Sequence, residues 1–243
     1  MDYTSSTIDP QSLRDPNLTY LRLLHLADSA LPIGALAHSF GLESLASAGL
    51  LTPAGVPDFL RGCLAEAGVM EAVFCRAAWR LAAEPKFSSE RWLEINQRLN
   101  ARKPSRESRA GSAALGRNFL SAVIGLGDSP LLSQAFAASR DTQTAVHHSP
   151  AFGLVGGALG LDEERAVLAY LHQSLAGLIS ACQRLLPMGQ SEATRILWNL
   201  KPAMIEAAAR SRAGLIDDVC CFTPLLDWGA MEHPALTTRL FIS

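Results

Sequence analysis

Apolar side chains recur at three- and four-residue spacing through most of the chain. Leu60, Cys63, Leu64, Ala67, Met70, Phe74, Ala77 and Leu81 form one stripe, the signature of an amphipathic helix. It predicts a helix starting near Pro57, where a missing N–H costs nothing. A second stripe runs through Val167, Tyr170, Leu171, Ser174, Leu175, Leu178, Ile179, Cys182, Leu185 and Leu186. It begins after Asp162-Glu163-Glu164, acids placed where the helix dipole favours them, and stops at Pro187. Further helices are expected at 20–27, 35–48, 89–101, 105–125, 130–139, 150–160, 190–199 and 202–216. Sustained polar/apolar alternation is absent, and β-branched residues never run for the length of a strand. The pattern therefore predicts an all-α fold: one globular multi-helix domain over residues 19–218. Residues 1–18 are polar and broken by Pro10 and Pro16, and are expected to form a mobile arm. In residues 219–243, Pro224, Gly229 and Pro234 break the pattern. The apolar ending Leu240-Phe241-Ile242 makes this stretch a docking tail rather than a frayed one.

Composition narrows the classes. Of 243 residues, 49% are hydrophobic, yet only 7% are aromatic and 18% charged, against a usual ~25% charged. The apolar content is thus mostly small and aliphatic. A formal charge of −2 and a pI near 6.3 supply no basic field for a phosphate backbone, which excludes general nucleic-acid binding. The mean hydropathy of +0.16 raises the question of a membrane. Residues 142–161 and 166–183 lack Asp, Glu, Lys and Arg. The first carries His147, His148 and Pro150, however, and the second His172, Gln173 and two serines. Both read as buried helices of a soluble protein, not as spans. The low charge has a second implication: another protein covers part of the apolar surface. Five cysteines without a secretory leader point to reduced thiols and a cytoplasmic location.

Familiar catalytic motifs are missing. There is no HExxH, CxxC, GxSxG or EF-hand loop. Gly111 to Asn118 has glycine spacing like that of a phosphate loop, but lacks its Lys and Ser/Thr and lies inside a helical pattern. His147-His148 is the one adjacent histidine pair, and adjacent side chains diverge by about 100° on a helix. One packed and one exposed histidine are expected there. Cys220-Cys221 makes a poor tetrahedral metal site on its own, and one buried and one exposed thiol are expected.

Two segments carry more information. In Asp28 to Glu43, Pro32 fixes its own φ and Gly34 can take a positive φ at a sharp turn. Ser39 and Glu43 share a helix face, and His38 lies with Leu42 and Leu45. Gly41 costs a helix about 1 kcal/mol relative to Ala, a cost that makes sense where another backbone approaches closely. Either a tight corner between core helices or a partner-docking face fits. In Ser105-Arg106-Glu107-Ser108-Arg109, Arg106 and Arg109 stand three apart on one face, suited to carboxylate or backbone-carbonyl contacts. A solvated, salt-bridged helix start fits equally.

Taken together, these segments resemble the urease accessory protein UreF family. The matching pieces are Leu31-Pro-Ile-Gly34, His38-Ser39-x-Gly41-Leu-Glu43, Ser105-Arg106-x-Ser108-Arg109, His148-x-Pro-x-Phe152-Gly153, Arg184-x-x-Pro187-x-Gly189-Gln190 and Arg239-Leu-Phe-Ile-Ser243. They occur in the family order across residues 20–243. The resemblance implies a non-catalytic, dimerising all-α protein. Such a protein bridges a UreD/UreH-like protein and a UreG-like GTPase during nickel insertion into apo-urease. It would hold no cofactor itself, nickel and GTP residing on the GTPase. Pro32, Gly34, His38, Ser39, Gly41, Glu43, Arg106 and Arg109 are then expected on the dimer and GTPase-facing side. Gln190 joins the partner-binding set, and Arg239, Leu240 and Phe241 are expected to order against the UreD-like partner. Leu36 stands where the family commonly has an aromatic.

Two other classes compete. One is a small all-α enzyme whose apolar pocket uses Glu43 with His38, or Glu66 with Glu71, as acid and base. The other is a direct nickel carrier with histidines converging across a symmetric dimer.

Overall fold

The computed structural model describes residues 15–243, and its described residues are helical with no strand. Helix α1 (Pro16–Leu26) opens with Asp15 capping the Asn17 N–H at 2.8 Å and Pro16 in the first turn. The mobile arm expected over 1–18 is corrected at its end, because residues 15–18 are already the cap and first turn of α1. Residues 1–14 lie outside the described residues. The helix expected at 35–48 is split. Residues 35–37 form a 3₁₀ turn, and α2 (Leu42–Ser47) begins only after Phe40 and Gly41, both at positive φ (51° and 95°).

Helices α3 (Val56–Cys63) and α4 (Val69–Ala82) make one rod, joined by a π-helical turn at Leu64–Gly68. There follow α5 (Ser89–Arg102), α6 (Arg106–Ile124), α7 (Pro130–Asp141) and α8 (His148–Ala158). Ser88, Ser105 and Ser129 cap α5, α6 and α7 in turn. Next come α9 (Glu163–Leu185), α10 (Gln190–Asn199) and α11 (Lys201–Arg210). The tail, read from sequence as irregular, contains α12 (Pro224–Glu232), with Pro224 at its first turn.

The centre is α8. It is apolar all round and buried from His148 to Gly156, as a helix without a polar face must be. Its glycines let it lie on the α4 backbone. A Cβ on Gly153 would fall onto the Cys75 carbonyl, 2.7 Å from its carbon, and one on Gly157 would stand 2.5 Å from the Trp79 oxygen. On its other side Phe152 stacks on Phe119 of α6, ring centres 5.2 Å apart. Buried Arg76 ties the periphery together through Ser211 Oγ (2.8 Å), Glu163 (3.0 Å), Glu164 (2.5 Å) and the Ala208 carbonyl (2.8 Å). Glu163 and Glu164 thus serve tertiary pairing as well as the helix dipole. Among the described residues, no helix is long and apolar enough to cross a membrane.

Candidate functional site

Most of the singled-out residues converge where the C-terminal tail crosses α2. Gly41 admits the chain's own α12: an added Cβ would lie 2.6 Å from Ala230 N and 2.7 Å from the Leu226 oxygen. Gly229 answers it, its hypothetical Cβ 2.5 Å from the Gly41 oxygen. This crossing brings the end of α12 and the tail over Glu43. The Glu43 carboxylate accepts the Leu240 N–H at 2.6 Å and the Phe241 N–H at 3.1 Å, and contacts His233 Nε2 at 2.9 Å. The opposite nitrogen of the His233 ring lies 2.7 Å from Glu107, which also faces Arg239 at 3.6 Å. Burial alone would raise the Glu43 pKa. The Leu240 N–H, His233 and the Phe241 N–H outweigh it and hold the carboxyl below its ordinary value.

The last residues are pinned further. Ile242 N donates to the Ala37 carbonyl at 2.8 Å, and the Ser243 carbonyl oxygen accepts from Ser39 and Phe40 N–H. Ser243 Oγ lies 2.7 Å from His38 Nδ1, and burial lowers the His38 pKa. Phe241 is buried with the Arg184 guanidinium 4.0 Å over its ring, while Leu240 and Ile242 point outward. The tail is therefore a clamp on its own domain, its exposed side chains held in fixed positions.

The other candidates differ in role. Pro32 and Gly34 are exposed at the corner before α2, Gly34 with the expected positive φ of 86°. Arg109 donates to the Lys103 and Pro104 carbonyls at 2.5 and 2.9 Å and closes the α5–α6 loop, whereas Arg106 is exposed. The two arginines do not act as one face; Glu107 between them joins the clamp. Gln190 lies apart, exposed at the start of α10 and paired with Gln183 at 2.8 Å. His233, Glu107, Arg184 and Ser243 were missing from the sequence-derived set. Glu107, Arg184 and Ser243 sat inside quoted motifs, but His233 meets Glu43 across 190 positions, and no local pattern announces that.

Comparison with known proteins places the chain. The UreF family model matches residues 50–201. A protein named urease accessory protein UreF from Corynebacterium glutamicum (strain R) is 32% identical over 91% of this chain and 96% of its own length. The chain belongs to the UreF family. Proteins of the same name from Bradyrhizobium sp. (strain BTAi1 / ATCC BAA-1182) and Actinobacillus pleuropneumoniae serotype 5b (strain L20) are 31% and 29% identical, each over 91% of this chain.

In this UreF chain the acid–base pair expected of an enzyme is not assembled. Glu43 is occupied by three donors and His38 by Ser243, and the two do not meet. Glu71 is spent on Lys103, Ser149 and Tyr170 beneath an apolar chamber, and Glu66 accepts the Phe222 N–H at 3.2 Å. Burial opposes charge on Glu71, yet Lys103 and Ser149 hold its pKa below the usual range. His147 and His148, expected as one packed and one exposed, are both buried at 0% and 6% exposure, because α8 has no solvent face. Burial lowers both pKa values to about 4 and keeps the rings neutral. Among the described residues no group of three or more His, Cys, Asp or Glu could hold a metal ion.

Proposed function

We propose that this chain is a non-catalytic accessory protein of urease maturation. In this reading it is a cytoplasmic homodimer that bridges a UreD/UreH-like protein and a UreG-like GTPase on apo-urease. It positions the GTPase, regulates its hydrolysis and holds no cofactor; nickel and GTP belong to the GTPase. Family membership supports the accessory role, and the clamp is the observation that carries the bridging role. Glu43, three donors and an apolar ring fix a tail whose Leu240 and Ile242 stay exposed at 59% and 69%. Beside it, Phe222, Leu225, Trp228 and Met231 leave an apolar row on and just before α12 open to solvent. Exposed aromatic and aliphatic anchors on a rigid support suit a protein partner more than a small substrate.

Light scattering after size exclusion, on this chain co-expressed with the UreD-like and UreG-like proteins of its own organism, tests the proposal. A discrete complex with about two copies of each, from which removal of residues 240–243 releases the UreD-like protein, is the expected result. A monomer that never co-elutes, with both partners folded, would overturn it.

A further inference from the structure

His233 sits where α12 gives way to the tail. It ends the helix, opens a 3₁₀ turn at His233–Ala235, and is fully buried. Both of its ring nitrogens point at carboxylates: Nε2 is 2.9 Å from Glu43 Oε2, and Nδ1 is 2.7 Å from Glu107 Oε2. A neutral imidazole carries one N–H and one bare lone pair, and an ionised carboxylate only accepts. Between two carboxylates, a neutral ring could bond to one and would turn its lone pair on the other. At these distances and out of water, that second contact is repulsive. Both contacts are hydrogen bonds only when the ring carries a hydrogen on each nitrogen.

The charges around the ring come from four elements. Glu43 belongs to α2 and Glu107 to α6. Arg239 of the tail faces Glu107 at 3.6 Å, and Arg184 of α9 adds positive charge near Glu43. The Leu240 and Phe241 N–H groups donate to Glu43 as well. The other histidine of the clamp is arranged differently. His38 meets the Ser243 hydroxyl at 2.7 Å, a group that can donate or accept, so that contact survives on a neutral ring.

We infer that the clamp is a proton-held latch: a hydrogen on each nitrogen of His233 ties α12 to Glu43 and Glu107, and loss of one loosens the tail. The closed tail binds one proton more than the open one. Closing is therefore favoured as pH falls and lost as pH rises. Leu240 and Ile242 are held in place only while the latch is closed, so a partner that reads them should bind more tightly at the lower pH. That consequence rests on the bridging role, whereas the latch itself does not.

Amide hydrogen exchange on the full chain alone tests the latch without any partner, so its failure would leave the bridging role standing. An imidazole in water gives up its second proton near about pH 6.5, which sets the range at about pH 6.5 to 8.5. His147 and His148, with values of about 4, stay neutral throughout it. After correction for the intrinsic pH dependence of exchange, protection of residues 239–243 is expected to fall by about tenfold or more across that range. Residues 148–158 should not change. In Glu107→Gln the amide NH₂ can donate to a bare Nδ1 while Nε2–H donates to Glu43. This variant is expected to keep the tail protected and to reduce the pH effect to about twofold or less. Nitrogen NMR of the His233 ring gives a second readout, with both nitrogens protonated at about pH 6.5. A bare ring nitrogen at that pH, equal protection at both ends of the range, or a full pH effect in Glu107→Gln would overturn the inference.

Discussion

The α4–α8 seam and the tail–α2 clamp both bring backbone against backbone through glycine, and they hold together by different means. At the seam, Gly153 and Gly157 let two continuous helices touch, and their peptide groups are largely satisfied within each helix. What remains there is dry packing, tolerant of nothing larger than hydrogen. At the clamp, Gly41 and Gly229 admit a segment that ends in irregular chain. Its Leu240 and Phe241 N–H groups need an outside acceptor, and one carboxylate provides it. The seam is architecture, and the clamp is an attachment centred on a single carboxylate. Damage to the first should remove the protein. Damage to the second should leave a folded domain with a loose end.

The largest expected effect is at the seam. Gly153→Val places side-chain atoms onto the Cys75 carbonyl, which cannot move without α4. Overpacking of this kind costs upward of about 3 kcal/mol. Thermal unfolding should fall by about 10 °C or more, or the chain should be insoluble. An unchanged midpoint would mean that α8 can slide, and the contrast would collapse.

Next is the buried ion pair beside the seam. Lys103→Met strands the Glu71 carboxylate among Ser149 and Tyr170 and should cost about 3–5 kcal/mol. Adding Glu71→Leu should recover part of that loss, because the second change removes the stranded charge. Urea unfolding of the two variants decides it. A double variant less stable than Lys103→Met would show that Ser149 and Tyr170 depend on the carboxylate more than on the pair.

Acid distinguishes the regions by a third route. His147 and His148 have folded pKa values of about 4, against about 6.5 unfolded. Because burial lowers them, the unfolded chain binds more protons between these values. Their contribution is complete above about pH 6.5 and lost as pH falls toward 4. At pH 5 the loss is about 2 kcal/mol per histidine. Glu43 titrates lower, since its folded pKa lies below the ordinary carboxylate value. The core should therefore weaken in a range where the Glu43 carboxylate still holds the Leu240 and Phe241 N–H groups. Equal urea midpoints at pH 7 and pH 5 would refute the histidine contribution.

Periodicity made most of the helices legible: residues 163–185 and 190–199 form helices close to their expected limits. It also picked out Gly41 as a point of close approach, although the approaching backbone belongs to the same chain. The tail was read less well. Helix α12 was hidden by Pro224 and Gly229, which signal a break, while Pro224 occupies the first turn and Gly229 faces Gly41. The His147-His148 pair was misread because a polar residue type outweighed the apolar run of residues 151–155 that buries it. Partners such as Glu43 and His233 depend on tertiary crossing, which spacing along the chain does not encode.

The smallest effect in stability is the most informative about the clamp. Glu43→Gln keeps the size of the side chain but removes its charge. The amide offers one acceptor oxygen to the Leu240 and Phe241 N–H groups and puts an NH₂ where the second oxygen stood. Charge-assisted bonds weaken to neutral ones at best, a loss of about 1–2 kcal/mol. Most of that loss should appear as local opening, because Phe241 and Ile242 keep their other contacts and the seam is untouched. Amide hydrogen exchange should accelerate at residues 239–243 by about five- to thirtyfold, while residues 148–158 stay protected. Uniform acceleration across both regions would mean that the clamp belongs to the cooperative core. In that case the exposed residues Leu240 and Ile242 would be presented by the whole domain rather than by a separable tail.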